Sequence, residues 1–299
     1  MSKLGIIISN EYKTDISAKS FWISTFVVPV LFVGFGILMG VIAANSGSMQ
    51  SISQNVAPSN DDMSMRQAMS ILAGTFVYMF VIMYGAMIFQ KVKTEKVNRI
   101  VEILATCVPG RTMITAKILA VALVGLTQIL LWGALIGIFV GGLLIVFPVD
   151  IPWDRILTLN NLVALLLCIL YFIGGYIFFG SLYAAMGALT DKNNENQEYM
   201  AVLTFILIIS LYLGLYVADN PGSVMMQVFA YIPFTSPTVG SIAVLGGVIP
   251  WWQILLSILI LFACAYFAMV LAGKIYTSAL LLKGKRFTPH DIMTFLKSR

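Results

Sequence analysis

Residues 251–273 read WWQILLSILILFACAYFAMVLAG, an apolar run without a single charge. The hydrocarbon core of a bilayer is about 30 Å thick, and a helix needs roughly 20 mainly apolar residues to cross it. Five further runs reach that length: 21–44, about 69–90, 118–147, 162–189 and 200–217. Lipid offers a backbone no hydrogen bonds, so each run is predicted to be a helix. The chain is 60% hydrophobic and only 10% charged, whereas soluble domains are nearer one quarter charged. The expected fold is all-α: a single transmembrane domain over 1–299 with six membrane-spanning helices.

Charge placement orients the bundle. Three Lys or Arg fall in 1–20, six in 91–117, one in 191–198 and six in 274–299, while the alternate side holds only Arg66 and Arg155. Cytoplasmic loops carry the excess of basic residues. Both termini are therefore expected in the cytoplasm, in a multi-pass protein of a bacterial cytoplasmic membrane. The net charge of +5 follows from this bias and carries no implication of nucleic-acid binding. The first run follows a polar lead of 20 residues and exceeds the roughly 7–15 apolar residues of a signal peptide. It reads as a retained span.

The apolar runs contain no Asp, Glu, Lys, Arg or His. Ion-coupled carriers keep ionisable groups at membrane depth, and intramembrane enzymes need a base or an activated nucleophile. Neither can be assembled inside these spans. No G-x-x-x-x-G-K-[ST] loop occurs, so energy for transport has to come from another subunit. The alternative is a passive channel or an ATP-independent carrier, whose usual filter rings are not seen. Cys107, Cys168 and Cys264 fit neither a disulfide framework nor a metal site. No catalytic residue, metal ligand or resident cofactor is assigned.

The charge that remains gathers in 91–117, KVKTEKVNRIVEILATCVPGRTMITAK. At 100° per residue, Glu95, Asn98, Arg99, Glu102 and Thr106 share one face, and Val97, Ile100, Val101 and Leu104 the opposite one. The reading is a short two-faced helix over 95–106, ended by Pro109 and Gly110, with Lys117 opening the next span. Such a helix either lies on the membrane surface or docks into a groove on a cytoplasmic partner. The mixed signs on its polar face favour docking.

These residues carry a family resemblance. The pattern EKVNRIVEILATCVP…AK resembles the cytoplasmic segment of ABC transporter type-2 permeases, in particular the sodium-extrusion, Nat-type branch. Glu95, Lys96, Arg99, Glu102, Leu104, Pro109 and Lys117 match, and Ala116 stands where Gly is usual. ISNEYKTDISAKSFW, with Glu11 and Tyr12, resembles the family's elbow helix. YIPFTSPTVG, with Pro233, Ser236 and Pro237, resembles the element before the last span. GSLYAAMGALTDKNNENQE and GKIYTSALLLKGKR resemble the fourth span and the C-terminal exit. The resemblance implies the membrane subunit of an ABC exporter, paired as a homodimer or with a paralogous permease. A cytoplasmic ABC ATPase subunit would bind ATP and Mg and drive it through the 95–106 coupling helix. It leaves the substrate open among sodium, a drug, a peptide and a lipid-like molecule.

Two segments remain between readings. Along 3–19, Leu4, Ile8, Tyr12 and Ile16 form a drifting apolar stripe, with Asp15 close to it. Residues 219–250 contain Pro221, Pro233, Pro237 and Pro250, which argues against one straight span. Short re-entrant helices and an ordinary external loop are the two alternatives.

Overall fold

A computed structural model describes residues 3–27, 29–30, 61–97, 108–146, 159–190, 197–220, 223–247 and 249–281. Among the described residues the secondary structure is helical, without strands. The helices are α1 (Lys3–Ser17), α2 (Asp61–Val97), α3 (Gly110–Val146), α4 (Leu159–Leu189), α5 (Gln197–Asp219), α6 (Val224–Tyr231), α7 (Ser236–Gly246) and α8 (Trp251–Leu281). Residues 19–27 are also helical, after a break at Ala18. Among the described residues, five helices are long and apolar enough to cross a membrane: Met69–Lys96, Gly110–Phe139, Asn160–Leu189, Met200–Asp219 and Trp251–Ala279. The first expected span, 21–44, lies outside the described residues from 31 onward.

The helices run further than their apolar windows. The third does not start near Ile118 but at Gly110, where the Pro109 carbonyl accepts the Met113 amide at 3.2 Å. The second continues through Glu95 and Lys96 to Val97. Lys91, Glu95, Lys96 and Lys117 are therefore helical residues inside the spanning elements. The helices extend through charged positions because those charges find partners on neighbouring helices.

α4 sits at the centre, packed most extensively on α8 and α2, while α1 lies against α3. A shared aromatic core runs through Phe80, Tyr84, Phe172 and Tyr176. Such ring pairs add about 0.5–1.5 kcal/mol each beyond their buried area.

α7 is seated inside the bundle, against α2, α4 and α5. Its residues Ser236 to Val244 are all buried. Two glycines make the seat possible. A Cβ on Gly175 would lie 2.6 Å from the Pro237 ring, and one on Gly240 would lie 2.5 Å from the Tyr171 ring. Two of the three polar side chains of α7 find partners. Ser241 donates to the Pro237 carbonyl at 2.6 Å, and Thr238 meets Ser210 of α5. Gly247 ends the helix in the left-handed region, φ 67°, a conformation open to glycine without steric penalty.

Two ends of the bundle follow from cross-helix contacts. At one end α1 meets the last turns of α2 and the first turns of α3. At the other, Gln67 of α2 donates to the Ala218 carbonyl of α5 at 3.1 Å.

Candidate functional site

The site forms where α1, α2 and α3 meet. Glu11 and Asp15 are four residues apart on α1, and Lys91 and Glu95 are four apart on α2, so each pair points from one helix face. Lys117 comes from the second turn of α3. The five side chains make a continuous ionic chain. Asp15 accepts from Lys91 at 2.6 Å, and Lys91 also reaches Glu11 Oε2 at 3.0 Å. Glu11 Oε1 accepts from Lys117 at 2.5 Å, and Lys117 also donates to Glu95 Oε1. Each ammonium lies between two carboxylates, and Glu11 bridges the two lysines.

Burial makes this arrangement consequential. Lys117 is 1% exposed and Asp15 5%. An unpaired charge at such depth costs several kcal/mol, so the alternation of signs is a condition for the helices to pack here. Burial pushes the Glu11 carboxyl up, but the ammoniums of Lys117 and then Lys91 outweigh it and hold Glu11 below its usual value of 4.5. For Asp15 burial is the larger effect. It lifts this carboxyl above 3.8 despite the bond from Lys91. Three carboxylates facing two ammoniums explain the difference, because Glu11 has both lysines and Asp15 has one.

Neighbouring contacts fix the surroundings. Tyr12 and Thr127 share a hydroxyl–hydroxyl bond of 2.8 Å, tying α1 further along α3. Tyr176 of α4 donates to the Ile118 carbonyl at 3.1 Å, one residue beyond Lys117. Lys96 donates to the Ala188 carbonyl at 2.8 Å, where a cation offsets the negative end of a helix. Gly110 packs so closely on α8 that a Cβ there would lie 2.8 Å from Thr277 Oγ1.

The site residues proposed from sequence therefore separate. Glu11, Glu95 and Lys117, from three distant stretches, are brought together. Glu95 and Lys96 belong to α2 itself rather than to a detached surface helix. Glu95 turns toward Lys117 and Lys96 toward α4. Asn98, Arg99, Glu102 and Leu104 lie outside the described residues. Pro109 is exposed and opens α3. Pro233 lies in the turn between α6 and α7. Ser236 and Pro237 start α7, far from the ionic chain. Ser236 is fully buried, and its Oγ has no hydrogen-bond partner among the described residues.

Sequence reasoning missed Lys91 and treated Asp15 as a flaw in an apolar stripe. Leu4, Ile8, Tyr12 and Ile16 of the stripe are half-buried, and Tyr12 and Ile16 pack against the core. Asp15 belongs to that face because Lys91 receives it. The two matched i,i+4 pairs were the available signal. Among the described residues no three His, Cys, Asp or Glu side chains are placed to hold a metal ion.

A family model described as "ABC-2 family transporter protein" matches residues 42–274. The chain belongs to this family. Membership identifies it as a multi-pass membrane component of a transporter, of the permease type. Among curated proteins, this ABC-2 chain is 24% identical over 216 residues to the uncharacterized protein YhaP of Bacillus subtilis (strain 168), covering 70% of the chain and 50% of that protein. It is 24% identical over 212 residues to the uncharacterized protein MJ1024 of Methanocaldococcus jannaschii, covering 71% and 49%. The chain thus matches about half the length of each relative. No solved structure matches it.

Proposed function

We propose that this chain is the membrane subunit of an ABC exporter of the Nat-type branch, working with a separate cytoplasmic ATPase that binds ATP and Mg. One observation carries the reading. Glu11, Glu95 and Lys117, residues of two separate family-like motifs, converge where α2 and α3 leave for their connection. That connection, 98–107, is the coupling segment, and α1 is the elbow helix. ATP closes the ATPase dimer, and the docked segments move with it. The membrane halves, two copies of this chain or one copy and a paralogue, then change the side to which they open.

Topology supports six spans. α1 lies at the end where α2 finishes, whereas α2 begins at the opposite end, beside α5. On this reading residues 18–60 supply the sixth crossing, through the apolar run 21–44. With that crossing, both termini lie on the basic, cytoplasmic side of the bacterial inner membrane. α6 and α7 form the re-entrant element: they descend from the far end, turn at 232–235 and return. Thr238 meets Ser210, nine residues below the end of α5, a depth of about 13 Å at 1.5 Å per residue.

The test is isolation of the tagged full-length chain in mild detergent. It should bring down a Walker-containing ATPase, hydrolyse no ATP alone, and move substrate in vesicles only with the ATPase and ATP. Solute flux through the chain alone in liposomes would instead establish a channel or carrier and overturn the proposal.

A further inference from the structure

We infer that Lys117 is a positioning residue that joins α1, α2 and α3 into one block, so that motion of the 98–107 connection is passed to α1. The inference rests on the coupling role proposed above.

The argument is one of connectivity. The ionic chain runs Asp15, Lys91, Glu11, Lys117, Glu95. Its members alternate between helices: α1, α2, α1, α3, α2. Asp15 and Glu95 are ends, and losing Asp15 only shortens the chain. Lys117 is the sole member on α3. Its loss releases α3 from both α1 and α2 at once and strands Glu95 from Glu11. No other single removal separates α3 from both neighbours in this chain.

Lys117 also sits at the right place along the helices. Glu95 precedes the end of α2 by two residues, and Lys117 follows the start of α3 by seven. Their bond staples the two legs of the connection close to its origin. Each leg is fixed to a further neighbour, Lys96 on the Ala188 carbonyl and Gly110 against Thr277. A connection held this way cannot absorb a push by splaying its legs, so displacement is delivered to the helices. Glu11 then carries it to α1, through Lys117 and Lys91 together. Tyr176 of α4 and Tyr276 of α8 pack beside α3 next to the cluster, donating to the Ile118 carbonyl at 3.1 Å and to Met113 Sδ at 3.5 Å. Neither supplies a replacement cation. Lys117 itself is 1% exposed, and a methionine at 117 would fill its space without making the link.

The experiment uses the full-length chain in complex with its ATPase. Hydrogen exchange is followed over residues 3–17 and over the 98–109 connection, in the nucleotide-free and the ATP–vanadate-trapped states. In the parent complex, trapping should change exchange in both segments. In Lys117→Met the connection should still respond, while the response of 3–17 falls to what the Lys91 bonds from α2 still pass on. Lys117→Arg, which keeps the charge, should restore it. Glu11→Ala keeps the Glu95–Lys117 pair and removes the ionic bridge from Lys117 to α1, while Lys91–Asp15 and Tyr12–Thr127 remain. It should show the same loss in 3–17, and it decides the matter if Lys117→Met does not fold. An undiminished response of 3–17 in Lys117→Met or in Glu11→Ala overturns the inference alone. A parent chain that binds no ATPase, or whose 98–109 segment ignores nucleotide, overturns the proposed function and this inference with it.

Discussion

Gly240→Ala and Gly137→Ala are the same chemical change with opposite expected signs. In a helix interior the exchange gains about 0.8–1 kcal/mol of intrinsic propensity at either site. At Gly137 of α3 no atom of another described element lies within 4 Å of the added carbon, so the gain stands and stability should rise by up to about 1 kcal/mol. At Gly240 the new carbon meets Tyr171 Cε1 and Cζ at 2.5 Å and its hydroxyl at 2.9 Å. Tyr171 is 1% exposed and cannot swing away. Overpacking of this kind costs about 1–3 kcal/mol, and contact with three atoms of a rigid ring argues for the upper end. After the propensity gain the net loss is about 2 kcal/mol, and the two variants should differ by about 3 kcal/mol. A reporter is built in. Cys168 is buried behind α7, its thiol 3.7 Å from the Ser241 carbonyl. With Cys107 and Cys264 replaced, its reaction with a thiol-reactive dye during heating in mild detergent follows release of α7. Gly240→Ala should expose it at a lower temperature than the parent, and Gly137→Ala should not. Adding Tyr171→Leu to Gly240→Ala should recover part of the loss, because residues in contact are not additive. An unshifted Gly240→Ala transition, or a reversed order of the two variants, would refute the seating of α7 on α4.

Other consequences concern the ionic chain. Glu11→Gln leaves Lys91 and Lys117 each short of a charge and should cost about 3 kcal/mol at neutral pH, the scale for breaking a buried pair. Asp15→Asn should cost far less, both read by unfolding in detergent. The pH dependences oppose each other. Glu11, held low, gives stability that is complete above its unfolded value of 4.5 and is lost as pH falls through its lower folded value. Asp15, held high, favours folding below its unfolded value of 3.8, and that contribution is lost as pH rises through its folded value. Asp15→Asn should therefore flatten the mildly acidic limb of the stability profile, and Glu11→Gln the more acidic limb. Lys96→Met removes the cation from the end of α4 and should weaken its last turn by about 1 kcal/mol, read as faster hydrogen exchange over 183–190.

The spanning helices were legible because nothing but burial in lipid explains 20-residue stretches without charge. Their ends were not. Lys91, Glu95 and Lys117 look like loop residues to a hydropathy window, and only the counter-ions on neighbouring helices, α1 for the lysines and α3 for Glu95, make them helical interior. Glu11, Glu95 and Lys117 were each visible through motif resemblance, but not as partners. Their pairing depends on how high α1 lies along α3, which Tyr12 and Thr127 help to set and no periodicity reveals. α7 was the hardest element to read. Its prolines argued against a straight span, and nothing local announces that Gly175 and Gly240 are spaced to receive Pro237 and to admit Tyr171.

An ionic chain at this end of the bundle answers a need that apolar packing leaves open. Lipid tails are as apolar as leucine, so apolar contact alone gives spanning helices little preference for one axial position over another. Sliding α1 or α3 by one turn, about 5.4 Å, would exchange one set of aliphatic contacts for a similar set. The same slide of α3 would take buried Lys117 from both carboxylates, a loss of several kcal/mol, and a slide of α1 would take it from Glu11. Five charges on three helices thus convert a weakly determined alignment into a sharply determined one. Buried ion pairs are best attested in this role, fixing register rather than adding net stability. Register matters most where helices must move together, and here it is fixed within three residues of the point at which α2 leaves for the connection to α3.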